Sequence, residues 1–328
     1  MSDSTPSAKR KRTDEPAAER TTLVRSDIWL PFGDIVLQAE STQFRVNRDN
    51  LTRHSSVFAD MFSVPQPPNE PTVEGCPVVV LSGDSAKDWE LLLGVLYGSF
   101  EDKEMRPVAE IAAMLRLGRK YGIAAAEANA VQRLHYEYPA DLNAWIKIAD
   151  SPFKKIQDES GAMFQVLSLA YEFGIRSSIP LMAYLCFMHS KPLEQIFTGI
   201  ARSDGSCVVL PAELRETLAI GFERIMGAQR GIYSWLDDGT VVPSDSCKKS
   251  VECTRARQAM HENLAWDDDT GLYCCFALET WDSDWTHTYC KTCFKAAKSA
   301  FVASRSSIWE SLPGFFGLPD WADLKDAD

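Results

Sequence analysis

The sequence predicts an α+β fold: a small domain of strands and helices, followed by an α-helical region and a small cysteine-rich module. Three observations predict it. Apolar, β-branched stretches at 35–39, 44–46 and 78–81 have the length and alternation of strands. Apolar residues at helical spacing take over from residue 87 and continue to about 226. Six of the nine cysteines lie between 247 and 293.

At 328 residues the chain exceeds what one core usually serves, so several folding units are expected. The expected division is a disordered basic tail over 1–25, a sheet-and-helix domain over 26–138, a helical region over 139–240, and a cysteine-rich module with an acidic tail over 241–328. The balance of 45% hydrophobic and 24% charged residues is that of a globular protein. The longest apolar run, Ile179 to Met188, is too short to span a bilayer, and the polar first 25 residues contain no signal-peptide h-region. An intracellular protein, of nucleus or cytoplasm, is expected, and in a reducing compartment its cysteines are buried thiols or metal ligands. The net charge is −12, and residues 1–25 hold six basic against four acidic side chains, which leaves the remainder near −14. So acidic a body argues against nucleic acid as the main partner. Lys9-Arg10-Lys11-Arg12 reads either as a nuclear import element or as a solvated charge run.

Taken in order, Ile35-Val36-Leu37-Gln38-Ala39 is a strand, Ser41-Thr42 a turn, and Phe44-Arg45-Val46 a second strand. Ser55 is a natural N-cap for a short helix whose Val57, Phe58, Met61 and Phe62 share one apolar stripe; Val57, Phe58 and Met61 are assigned to the core in preference to an interface. Pro65 to Pro71 forms a loop, and Val78-Val79-Val80-Leu81 is the unbroken apolar run of a buried strand. Ser85 caps a helix over Lys87–Tyr97 with Trp89, Leu92, Leu93 and Leu96 inward, and two further helices pass through Ile111–Tyr121 and Ala124–Tyr138.

In residue type and order, Asp34-Ile35-Val36-Leu37, Gln43-Phe44-Arg45-Val46, Leu51, Ser55 to Phe62 and Trp89 to Gly98 resemble the BTB/POZ family, over roughly residues 27–138. The resemblance implies a three-stranded sheet capped by five or more helices. It also implies a domain that pairs with itself or docks on scaffolds such as cullin-3. Where that family usually carries His after the second strand, this chain has Asn47-Arg48, and no apolar-x-Glu element of the cullin-binding members can be placed. Trp29-Leu30-Pro31 and the cysteine-bearing second half look like the large BTB group of mushroom-type fungi.

Beyond Pro139, helical periodicity runs through Leu142–Ile148, Phe164–Ile175, Leu181–Met188, Leu193–Phe197 and Glu213–Met226, the last entered at Pro211. Cys186, Cys207 and His189 have no partner at ligand spacing and read as core or loop residues. Cys247 and Cys253, five residues apart, and the Cys290-Lys291-Thr292-Cys293 pair supply four thiolates, the number a tetrahedral structural zinc site takes. Trp281 and Trp285 would cover such a metal-stapled module. Cys274, Cys275, His261 and His287 are alternative ligands, and reduced cysteines packed in a helical domain are the other reading. Over 247–298 there are seven Lys or Arg against eight Asp or Glu, which does not suit a DNA-binding finger.

No phosphate loop, nucleophile elbow or zinc-protease helix is present in the sequence, and Cys290 with His287 lacks the orienting third group of a nucleophilic site. The sequence therefore points to a non-enzymatic adaptor. It self-associates as a homodimer or docks on protein partners, cullin-3 among them, with structural zinc as its cofactor. The alternative is a nuclear, transcription-related protein touching nucleic acid through its basic tail.

Overall fold

The computed structural model describes residues 22–65, 71–98, 105–149, 153–188, 192–237, 239–264, 277–282, 285 and 287–327. The Lys9–Arg12 cluster, most of the expected Pro65–Pro71 loop, His189, Cys274 and Cys275 lie outside the described residues.

Strands β1 (Val24–Trp29), β2 (Ile35–Ala39), β3 (Thr42–Val46), β4 (Thr72–Val73) and β5 (Cys76–Val80) form one sheet in the order β1-β3-β2-β5-β4. β2 lies at its centre, antiparallel to β3 and parallel to β5. Ile35, Val36, Leu37 and Ala39 are all buried, which is why this segment reads as continuously apolar. The sheet thus has five strands and not the three expected. β1 escapes the periodicity test because Arg25, Ser26 and Asp27 interrupt it on an exposed edge, where one polar face costs nothing. It pairs parallel to β3 and begins at Val24, inside the stretch expected to be disordered. β4 is a two-residue edge too short to carry a pattern.

Five helices cover the sheet: α1 (Arg48–His54), α2 (Ser56–Ser63), α3 (Ala86–Tyr97), α4 (Val108–Tyr121) and α5 (Ala124–Glu137). Ser55 closes α1 and opens α2, accepting from the Phe58 amide at 3.0 Å and donating to the Tyr121 carbonyl at 2.5 Å. Ser85 caps α3 as expected, accepting from the Lys87 and Asp88 amides. Phe58, Trp89 and Tyr121 meet as an aromatic trio, with Phe58 and Tyr121 stacked at 5.1 Å and Trp89 edge-on to Tyr121 at the same separation. Of the stripe on α2 only Phe58 is fully buried; Met61 is partly covered and Val57 faces outward, so Val57 leaves the expected core. The α2 helix is only eight residues long, so one side chain centres its buried face. Asn47 donates from its side-chain amide to the Phe32 carbonyl at 3.0 Å. Gly122 ends α4 in the left-handed region, and a Cβ there would lie 2.2 Å from Ser56 Oγ. Substituting Ser55 by Ala removes a cap and a buried donor together, and is expected to lower unfolding free energy by about 1–3 kcal/mol, read from urea denaturation.

The chain continues through α6 (Leu142–Ala149), α7 (Ala162–Phe173), α8 (Ile179–Leu185), α9 (Pro192–Thr198), the small hairpin β6 (Ile200–Ala201) and β7 (Cys207–Val208), α10 (Ala212–Ile232), α11 (Ser250–Leu264) and α12 (Lys291–Phe315). Buried apolar residues from Ile35 to Phe316 form one continuous cluster, so the sheet unit and the helices behind it share a core. α12 returns along α10, where Arg224 donates to the Gly314 and Phe315 carbonyls at 3.0 Å and Phe187 packs between Phe222 and Phe316. The expected acidic tail is tied down: Asp326 accepts from the Ser177 amide at 2.8 Å and faces His135 Nε2 at 2.7 Å, and the Ala327 amide donates to the Gly174 carbonyl. Among the described residues no helix is long and apolar enough to cross a membrane.

Candidate functional site

Two helix starts converge on one point. Cys247 sits in the turn before α11 and Cys253 in its first turn; Cys290 is the N-cap of α12 and Cys293 lies three residues on. A turn followed by the first coil of a helix folds both segments back, so the five-residue and two-residue gaps each bring two sulfurs to the same place. The four Sγ atoms lie within 4.8 Å of one another, and Cys247 and Cys290 approach to 3.7 Å. That distance is nearly twice a disulfide bond and close to the ~3.8 Å edge of a tetrahedron built on ~2.3 Å zinc–sulfur bonds.

Every sulfur also has a donor. The Ser244 amide reaches Cys293 Sγ at 3.3 Å, the Lys249 amide reaches Cys247 Sγ at 3.4 Å, and the Cys290 amide reaches Cys253 Sγ at 3.5 Å. The Thr292 hydroxyl lies 3.3 Å from Cys290 Sγ. With the positive ends of α11 and α12, these donors favour thiolate over thiol. The Thr292 hydroxyl and the Cys293 amide bring the Cys290 thiol down to about 6. Desolvation and the neighbouring sulfurs push Cys247 up to about 12, and desolvation raises Cys253 as well. Four sulfurs this close cannot all ionise without a cation among them.

Charge along residues 247–298 is segregated in sequence. Seven of the eight acidic residues of 247–298 fall at 262–284, whereas all seven basic ones fall at 248–257 and 291–298. Arg255, Lys291, Lys295 and Lys298 are exposed on α11 and α12, and Lys248 and Lys249 are exposed just before α11.

An aromatic wall backs the site. Trp281 packs against Trp235, Trp285, Phe294 and Phe301 with ring centroids 5.3–5.8 Å apart, and Tyr289 contacts Trp235 at 6.0 Å and donates to Met260 Sδ at 3.2 Å. Trp235, in the turn after α10, and Phe301, in mid-α12, carried no sequence signal that set them apart from other core aromatics. Among the described residues, His261 and His287 stand outside the sulfur cluster and are exposed, with His261 Nε2 facing Asp237 at 3.3 Å. Cys186 is buried, its thiol pushed up by burial, and Cys207 lies exposed on β7, so neither joins the cluster.

The other candidate surface lies at the far end of the sheet. Among the described residues β1 is an edge strand, and beside it Leu23 and Val24 are half exposed and the Phe32 side chain is 92% exposed. An unpaired edge flanked by apolar side chains is a surface that other chains can extend or cover.

Residues 29–137 match the family model of the BTB/POZ domain, a module that generally serves protein–protein interaction and is typically not an enzyme. The matched span begins within β1 and ends with α5. No curated protein matches the chain.

Proposed function

We propose that this chain, with a BTB/POZ domain over residues 29–137, is a protein-interaction adaptor that self-associates through the β1 edge and presents the α6–α12 region to other proteins. The observation that carries this reading is the outer edge of β1, which no other described strand covers, with Leu23, Val24 and Phe32 exposed beside it. Cullin-3 belongs to this reading as a candidate partner, on the strength of the family resemblance alone. The division into a sheet domain, a helical region from 139 and a cysteine-rich end from 241 belongs to it in the same way. The four cysteines Cys247, Cys253, Cys290 and Cys293 are proposed to hold structural zinc, since their spacing, donors and helix-end fields suit a closed four-thiolate site. With four protein sulfurs no position remains for water or substrate, so the metal fixes shape and performs no chemistry.

Sedimentation velocity of the full chain tests the pairing. Phe32→Asp combined with Leu23→Asp is expected to weaken self-association by at least roughly thirtyfold. Because both side chains face solvent, unfolding free energy should stay within about 0.5 kcal/mol of the parent. A parent chain that remains monomeric at high micromolar concentration, or a variant that pairs as tightly as the parent, would refute the edge-strand reading.

A further inference from the structure

The four clustered sulfurs divide into an outer and an inner pair. Cys247 and Cys290 are partly exposed, whereas Cys253 and Cys293 are buried, at 3% and 0% exposure. Each segment supplies one of each: Cys247 and Cys253 at the entry to α11, Cys290 and Cys293 at the entry to α12. The outer sulfurs therefore belong to different segments and still approach to 3.7 Å. A disulfide is about 2.05 Å long, so closing one across this pair takes an approach of ~1.7 Å by two partly exposed side chains.

The two pairs are also held differently. The Ser244 amide donates to Cys293 Sγ at 3.3 Å, with the Ser244 hydroxyl 3.5 Å from the same atom, and the Cys290 amide donates to Cys253 Sγ at 3.5 Å. Burial and backbone donors fix these inner sulfurs. The contacts of the outer pair come from exposed residues, the Lys249 amide on Cys247 and the Thr292 hydroxyl on Cys290. An oxidant arriving from solvent thus meets Cys247 and Cys290 first.

Resting on the reading of these four cysteines as a zinc site, we propose that the site is a redox switch, in which a peroxide joins Cys247 to Cys290 and expels the metal. The Cys290 thiolate attacks one peroxide oxygen, the O–O bond breaks, and the departing hydroxide takes a proton from solvent, leaving a sulfenic acid. The Cys247 thiolate then attacks Cys290 Sγ, the S–O bond breaks, and the second hydroxide leaves as water with another solvent proton. Two thiolates, one hydrogen peroxide and two protons become one disulfide and two waters. The sulfurs give up two electrons, the peroxide accepts them, and the zinc keeps its charge. Left with Cys253 and Cys293 alone, the ion has lost half its ligands and departs into water. One covalent bond then joins the starts of α11 and α12 in place of a four-point clamp, and their first turns loosen. A thiol reductant together with zinc restores the clamp.

Native mass spectrometry of the full chain, with peptide mapping of the same sample under non-reducing conditions, tests this. The untreated chain is expected to carry one zinc and no disulfide. After hydrogen peroxide in roughly tenfold excess it should lose the zinc and gain a disulfide between Cys247 and Cys290, and dithiothreitol with zinc should reverse both. Amide hydrogen exchange should quicken at least about tenfold at the starts of α11 and α12 and stay within about twofold over residues 29–137. An untreated chain without zinc refutes the metal site, and the switch with it. Zinc that is present at first but retained after peroxide, or lost with Cys290 joined to Cys293, Cys274 or Cys275, overturns the switch and leaves the metal site standing. Exchange that quickens equally over 29–137 also overturns it, because oxidation would then unfold the chain rather than release one clamp.

Discussion

Treating the purified chain with a strong chelator is expected to remove the proposed zinc, to lower the melting temperature by on the order of 10 °C and to unfold the α11–α12 end ahead of the sheet. The physical basis is the charge at Cys247, Cys253, Cys290 and Cys293. Backbone amides, the Thr292 hydroxyl and two helix ends all favour thiolate there, so removing the cation leaves sulfurs that must take up protons or separate. Cys293 is completely buried and Cys253 nearly so, at 0% and 3% exposure, and neither can turn to solvent without opening the helix starts. Cys293→Ser, which keeps shape but lacks a soft ligand, should reproduce the effect of the chelator and abolish the one-zinc mass increment in native mass spectrometry. A protein that carries no metal, and whose melting is indifferent both to chelator and to Cys293→Ala, would show four thiols packed as ordinary apolar groups. Selective thiol alkylation gives a second reading, since metal-held cysteines resist until the chelator is added.

How far the sequence exposes this arrangement follows from how each part is stabilised. β2, β3, β5 and the helices that cover them are built by burial, and burial writes itself as periodicity: Ile35, Leu37, Phe44, Val46, Leu92, Leu93 and Ile111 are both the sequence signal and the observed core. β1 is held by backbone pairing to β3 and by Arg25 and Arg45 against Glu74 across the surface, neither of which leaves an apolar pattern. The Cys-x-x-Cys spacing placed Cys290 and Cys293 together at one turn, whereas their partners stayed open in the sequence, because Cys274 and Cys275 offered themselves beside Cys247 and Cys253. The continuity of the core was not legible, since α12 returns to α10 over a separation no local pattern reports. The segregation of charge along the sequence was lost for the opposite reason: a sum over 247–298 averages over two basic segments and the acidic stretch between them.

The largest single-residue effect inside the sheet unit is expected at Asp84. Its carboxylate, 7% exposed at the turn between β5 and α3, accepts from Trp89 Nε1 at 2.9 Å and from the Tyr121 hydroxyl at 2.5 Å, and also pairs with the Lys120 ammonium. One acid therefore ties the start of α3 to the end of α4 beneath the Phe58 ring. In Asp84→Ala, Lys120 regains solvent, being already 45% exposed, but the Trp89 indole N–H and the Tyr121 hydroxyl remain buried without an acceptor. Two orphaned donors and the lost charge-assisted bonds amount to about 3–5 kcal/mol of unfolding free energy. The pH dependence has a definite sign. Burial by itself would raise this carboxyl, yet the hydrogen bonds from Lys120, Tyr121 and Trp89 prevail and hold it below its ordinary 3.8. A carboxyl lowered in the folded state stabilises fully above its unfolded value and loses that contribution as pH falls through the folded one. The stability difference between the parent and Asp84→Asn, measured by urea denaturation, should therefore be flat near neutrality and shrink below about pH 4. A difference that stays constant down to pH 3 would mean that the charge on Asp84 contributes nothing, and that Trp89 and Tyr121 are held by packing alone.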